Sequence, residues 1–351
     1  MKSKVYFISV KNSDTTQAIT EKFIRLIAES AILDFIKPND KVAVKLHFGE
    51  EGNTGFVKPE YLKIVTDSIS RRAATPVLSD TNTLYRGRRL NSEEHKKIAY
   101  EHGFTPEACG APVVIADGNI EVPVAGKFIA KAKVAPLFIE SDALVVVSHF
   151  KGHIMAGFGG ALKNVGMGCA SRQGKLAQHS DVAPLVRVKN CTGCGECEKV
   201  CPADAISIIN NKSQIDSKKC IGCSSCIAAC PHNAIDVHWE SGAGNIQEKM
   251  TEHAKAVLDT KKARAAFFNF AIKITKECDC LAKDDPRISP DVGIFTSSDP
   301  VSIDKACFDM VNVACGMDVF KQVWPERDAL KQLRHAQAIG IGNLDYELIK
   351  L

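Results

Sequence analysis

The chain has 351 residues, of which 45% are hydrophobic and 25% charged, and its formal charge is +4. That length suits two domains, or one large domain carrying an insert, with an ordinary globular composition. So small a surplus, without a run of Lys or Arg, points away from nucleic acid, and no stretch of ~18 apolar residues suits a membrane span. The 14 cysteines follow an N-terminus that reads as a strand and not as a signal peptide. They point to metal ligation in a reducing cytoplasm and away from a secreted disulfide scaffold.

Strand and helix patterns alternate along residues 1–186. Residues 5–10 and 42–48 are apolar runs rich in β-branched types, and between them Ser13-Asp14 reads as the cap of a helix over 18–32. A helix follows Pro59 over 61–70, then a strand over 76–80 and a helix from the cap Asn91 to Gly103. Strands over 113–116 and 143–148 complete this part. Residues 187–240 break the alternation with a cysteine repeat. It resumes with a helix over 246–258, strands over 266–274 and 292–296, and a helix opened by Asp299-Pro300 and running to about 313. A turn at 339–343 precedes a final strand. The expected fold is α/β: residues 1–186 and 241–351 form one mostly parallel, helix-covered sheet body, interrupted by a small α+β domain at 187–240.

The repeat reads Cys191-x2-Cys194-x2-Cys197-x3-Cys201-Pro202 and, 29 residues on, Cys220-x2-Cys223-x2-Cys226-x3-Cys230-Pro231. Each half ends in Pro-x-x-Ala-Ile, and residues 206–209 and 234–238 read as short strands. A 4Fe–4S cluster takes four thiolates, and two-residue gaps let one curled loop supply three of them. The fourth, set off by three residues and a Pro, reaches the other cluster. One cluster is therefore assigned to Cys191, Cys194, Cys197 and Cys230, and the other to Cys220, Cys223, Cys226 and Cys201. Paired zinc sites also use Cys-x2-Cys, but not three cysteines at successive two-residue gaps before Cys-Pro, twice over. The segment resembles the bacterial two-cluster ferredoxin family at every ligand position, and the resemblance implies low-potential electron transfer.

In open α/β sheets ligands bind where loops leave the carboxyl ends of strands. Here those loops carry Lys45, His47 and Glu50; then Asp80, Asn82, Tyr85, Arg86, Arg88 and Arg89; then His149, Lys151 and His153, followed by a glycine-rich run with Lys163 and Asn164; and last Cys278-Asp279-Cys280. Lys45 and His47 alternate with apolar neighbours, so both can face one pocket, where His47 could serve as a general acid or base. The glycine-rich run 157–168 suits a loop whose amides meet a carboxylate or phosphate, with Lys151 and Lys163 supplying charge. Cys278 and Cys280, two apart on an extended segment, would face one side, and with His149 and His153 would make a Cys2His2 set for a further metal ion or cofactor. Cys109, Cys169, Cys307 and Cys315 are expected in the core, Asp299 at a helix N-cap, and Asp304 exposed on that helix.

The run His149-Phe-Lys-Gly-His153 with Gly157-Phe-Gly-Gly-Ala-Leu-Lys-Asn-Val-Gly-Met-Gly168 resembles the hallmark of domain-of-unknown-function family 362. Cys278-Asp-Cys280, Ser298-Asp-Pro-Val-Ser-Ile-Asp-Lys-Ala306 and Val42-Ala-Val-Lys-Leu-His47 extend the likeness to nearly all of the chain outside the repeat. Many members of that family carry a two-cluster ferredoxin; the resemblance assigns no catalytic role. The Lys- and His-bearing strand ends are also similar to the lactate racemase-type nickel-cofactor fold.

The expected function is electron transfer through two 4Fe–4S clusters to a substrate or cofactor in the α/β body, with His47, Lys45, His149, Lys151, His153 and Lys163 as the candidate catalytic set. A small anionic substrate or a redox partner protein is the expected partner. Two other classes fit the same motifs: a ferredoxin-like carrier whose body docks a partner, and a metal-dependent hydrolase or isomerase with structural clusters.

Overall fold

A computed structural model describes residues 2–85, 87–180, 182–238 and 245–351. Its central sheet is built from β1 (Ser3–Ser9), β2 (Lys41–Lys45), β3 (Thr75–Thr81), β4 (Val113–Ala116), β5 (Ala143–His149), β6 (Ala265–Ala271), β7 (Gly293–Ser297) and β8 (Tyr346–Lys350). These lie in the order β8-β1-β7-β6-β5-β2-β3-β4. Pairing is parallel throughout except at β7, which runs against both β1 and β6. No helix separates β6 from β7, so the chain returns without the crossover that parallel neighbours require. The register of β1 against β7 and β8 puts the N-terminal strand among the C-terminal ones, and one sheet thus joins the chain on both sides of the cysteine repeat.

Helices cover both faces. Helices α1 (Thr16–Ser30) and α2 (Pro59–Ser70) bury Phe23, Leu26, Leu62 and Val65 against Val44, Val145 and Phe268 of the sheet. After α3 (Ser92–Glu101), α4 (Ala161–Gly166) and α5 (Arg172–His179), helices α6 (Ile246–Lys261) and α7 (Pro300–Cys315) cover the opposite face. Ala254, Val257, Val301 and Phe308 pack there with Leu144, Val146 and Phe267. Alternate residues of β5 and β6 therefore enter opposite cores. All seven residues of β6 are buried, because a central strand of a doubly covered sheet has no solvent face.

Boundaries differ locally from expectation for visible reasons. The cap of α1 is Thr15, whose hydroxyl accepts from the Ala18 amide at 3.2 Å, while Asp14 accepts from Lys11 in the preceding turn. Asn91 caps α3 by accepting from Glu94 N–H at 2.9 Å, and Asp299 caps α7 by accepting from Val301 and Ser302. Cys109, Cys169 and Cys307 are buried and Cys315 half-buried.

The repeat carries small elements outside the central sheet. Leu185–Val186 pairs with Ile235–Asp236, Ile206–Ile209 with Lys212–Ile215, and the helical turns Glu196–Lys199 and Ser225–Ala229 lie between. Its apolar centre, including Ile206, Ile227 and Ile235, takes in Leu84 and Leu176 of the sheet body. Residues 239–244, which include the expected boundary between this unit and the second part of the sheet body, lie outside the described residues, as does Arg86. No helix of the described residues is long and apolar enough to cross a membrane.

Candidate functional site

The carboxyl ends of β2, β3 and β5 open into a cavity of about 360 Å³. It is lined by Lys45, His47, Asp80, His149, Lys151, His153, Lys163 and Cys280 among others. Alternation does the placing: Val44 and Leu46 are buried in the apolar layer, which turns Lys45 and His47 the other way.

Buried charge is paired along this wall. The Lys45 ammonium lies 2.9 Å from Asp80 Oδ1 and donates to Asn164 Oδ1 at 2.7 Å. Burial works to raise the Asp80 pKa, but Lys45, His47 and further cations outweigh it and hold the carboxyl well below the usual range. Arg89 donates to Glu50 at 3.0 Å and also reaches Tyr85. Its guanidinium lies 3.0 Å from His47 Nε2, while His47 Nδ1 accepts from Gly49 N–H at 3.0 Å. Burial first, then Arg89, depresses the His47 pKa. Arg88 turns outward to Glu101 at 2.6 Å and takes no part in the cavity.

Beyond β6 the chain makes a turn at Asp279-Cys280 and not an extended segment. Asp279 receives His149 Nδ1 at 2.9 Å and the Lys151 ammonium at 3.1 Å. Although burial opposes ionisation, His149 and Lys151 hold Asp279 ionised. His149 is thereby committed: its Nε2 lies 3.0 Å from the Ile272 carbonyl. Contrary to the Cys2His2 set expected from sequence, it does not join the cysteines. The donors that do converge are His153, Cys278 and Cys280, whose ligand atoms lie within 4.8 Å of one another. The Cys278 sulfur is also 3.4 Å from the Lys163 ammonium. Hydrogen bonding from Cys280 is the main influence lowering the Cys278 pKa, with Lys163 and Lys151 adding to it against burial; the Cys280 thiol moves up. His153 Nδ1 accepts from the Met155 and Ala156 amides at 3.2 and 3.1 Å, which leaves the ring proton on Nε2.

The glycine-rich run differs most from expectation. Gly157–Gly159 forms a hairpin with Lys151–His153, and α4 follows. The Ala161 and Leu162 amides at the start of α4 donate to the Asp304 carboxylate at 2.7 and 3.0 Å, and Asn269 adds a third donor at 2.7 Å. The anion these amides meet is the chain's own. Asp304 is fully buried, not exposed on its helix, and burial pushes its pKa up to about 6. A side chain at Gly160 would collide with that carboxylate, and one at Gly168 with the Lys45 ammonium; close packing explains both glycines.

Sequence reasoning missed Lys175 and His179. Both line the cavity from α5, and their spacing of four residues, which places them on one helix face, was the available signal. Lys175 donates to Thr81 and to the Asn82 carbonyl, and burial lowers its pKa to about 7. Leu176, the next residue, belongs to the apolar centre of the repeat. Helix α5 and Leu84, which both lines the cavity and joins that centre, are thus a wall common to the two.

Within the repeat, one small cavity is lined by Cys191, Cys194, Cys197 and Cys230 and another by Cys201, Cys220, Cys223 and Cys226. Backbone amides point at sulfur: Ser213 at Cys191 (3.3 Å), Ala205 at Cys201 (3.3 Å) and Ala234 at Cys230 (3.2 Å). Gly193, Gly195 and Gly222 have φ of 73, 80 and 69°, the left-handed backbone that curls such loops.

No curated protein matches the chain. Among solved structures, the lactate racemase apoprotein from Thermoanaerobacterium thermosaccharolyticum is 13% identical with a TM-score of 0.45, covering 87% of this chain and 57% of its own. A structural-genomics protein from Thermotoga maritima is 14% identical with a TM-score of 0.39, covering 88% and 60%. The chain spans less than two thirds of either. A family model matches over residues 42–309, and the chain belongs to that family, the domain of unknown function DUF362.

Proposed function

We propose that this chain is a two-cluster 4Fe–4S electron-transfer protein and an oxidoreductase, in which electrons pass to a small anionic substrate or cofactor held in the sheet body. The observation that carries this reading is the sorting of eight cysteines into two sets of four around separate small cavities. Four thiolates are what each cluster takes, and each set draws its fourth member from the other half of the repeat. The amides aimed at Cys191, Cys201 and Cys230 fit that role, since donors to a ligating sulfur offset its charge. Bound there, each cluster would supply electrons one at a time.

The rest of the chain is arranged around that supply. Cys194 is exposed, which suits entry of electrons from a partner protein on the side of the first set. Gly222, between two members of the second set, lies against Leu176, and α5 carries Lys175 and His179 into the large cavity. Lys163 would meet the anion, while Lys45 and Arg89 stay engaged with Asp80 and Glu50 and Lys175 with Thr81 and the Asn82 carbonyl. The large cavity favours an oxidoreductase over a simple carrier, which needs no ligand pocket.

Anaerobic reduction with dithionite or titanium(III) citrate, followed by EPR, tests the reading. Signals of reduced clusters are expected. A protein loaded with iron and sulfide that remains silent with both reductants would remove electron transfer and leave the clusters a structural role.

A further inference from the structure

The turn at residues 278–280 holds two sulfurs that neither the apolar core nor the cysteine repeat uses. We propose that Cys278 and Cys280 are a redox pair, cycling between a dithiol and an intramolecular disulfide, that stores two electrons beside the large cavity. It rests on the electron-transfer reading of residues 187–238 for its source of electrons.

The geometry supports this in three ways. The two sulfurs lie within 4.8 Å of each other. Two residues apart on an extended strand, their Cα atoms would stand roughly 7 Å apart, beyond the ~4.4–6.8 Å that a disulfide spans; here the segment is instead a turn closed by the Leu281 amide on the Cys278 carbonyl at 3.0 Å. The Lys163 ammonium lies 3.4 Å from Cys278, where it stabilises the thiolate that disulfide cleavage releases. Finally, access is unequal: Cys280 lines the cavity and Cys278 is only 2% exposed, so a ligand would meet one sulfur while the other is kept from solvent.

A metal ion suits the same sulfurs less well. The ammonium of Lys163 already stands at Cys278, and a second cation there would be repelled. His153 accepts two backbone N–H groups at Nδ1, so its other nitrogen presents a proton where a metal needs a lone pair.

The step balances simply. Two electrons, one from each cluster, and one proton open the S–S bond; Cys280 becomes a thiol and Cys278 a thiolate paired with Lys163. The reverse returns two electrons and the proton. The pair thereby converts single-electron supply into two-electron chemistry at the cavity wall.

The test uses the full chain loaded anaerobically with iron and sulfide. Samples are equilibrated across dithiothreitol redox buffers, quenched in acid, alkylated and digested for mass spectrometry. The peptide carrying residues 278–280 should change from doubly alkylated to unalkylated, lighter by two hydrogens than the free dithiol, along a two-electron Nernst curve. Cys278→Ser and Cys280→Ser should each abolish the transition, and Lys163→Met should move its midpoint to lower potential by destabilising the thiolate. A pair that stays alkylatable across the whole range overturns the proposal. So does stoichiometric zinc, nickel or iron that disappears in Cys278→Ser. EPR of the same samples reads the clusters separately. A disulfide transition without cluster signals upholds the pair and removes its electron source; cluster signals without the transition overturn the pair alone.

Discussion

Two buried carboxylates show how much of this fold is set by single residues. Glu252 is fully buried in α6 and accepts from the Lys127, Phe128 and Ile129 amides, at 2.8–3.2 Å, while His335 pairs with it at 3.0 Å. Glu252→Ala leaves those donors unpaired and should cost about 3–5 kcal/mol, read by chemical denaturation. Asp304 carries a pH signature. Its folded pKa, about 6, is above its ordinary value of 3.8 because of burial. A raised pKa contributes stability that is present below about 4 and is lost as pH rises through about 6. Denaturation midpoints of wild type minus Asp304→Asn should therefore fall across that window, and a flat difference would refute it. Lys45, His47 and His149 were legible as strand-end residues because a two-residue period names the facing side chains. The burial of Asp304 was not legible, since it depends on α4, more than a hundred residues away, bringing its first amides to α7.

At the scale of elements, the sequence was most readable where caps and periods are local. Asn91 and Asp299 stand at the predicted caps, and β3 and β4 lie where apolar runs placed them. Less readable were the turn at 279–280, which the alternating strand before it disguised, and the role of α5. That eight-residue helix presents Lys175 and His179 to the cavity and Leu176 to the cysteine repeat. Leu176→Ala should weaken the docking of residues 185–238 by about 2–4 kcal/mol. Hydrogen exchange should then quicken in the repeat while the central strands β5 and β6 stay protected. Equal loss of protection in both regions would show that α5 supports the sheet and not the docking.

For the whole molecule, fold class followed from element order, because alternating strands and helices leave few ways to cover a sheet. Joining residues 3–9 to β7 and β8 was less accessible: it is a pairing across nearly the full chain, which no local pattern records. The chemistry is divided accordingly. The sheet body supplies a walled, charged cavity, the repeat supplies two sets of four cysteines, and α5 lies between them. The proposed division of labour rests on two 4Fe–4S clusters with exchanged fourth ligands, and iron and sulfide analysis with EPR of the reduced protein tests that proposal most directly. About eight iron and eight sulfide per chain are expected, as two 4Fe–4S clusters require. Cys201→Ala should selectively disturb the signal of the set containing Cys220, and Cys230→Ala that of the set containing Cys191. Zinc at about two per chain without sulfide, as paired structural sites would hold, would contradict the account.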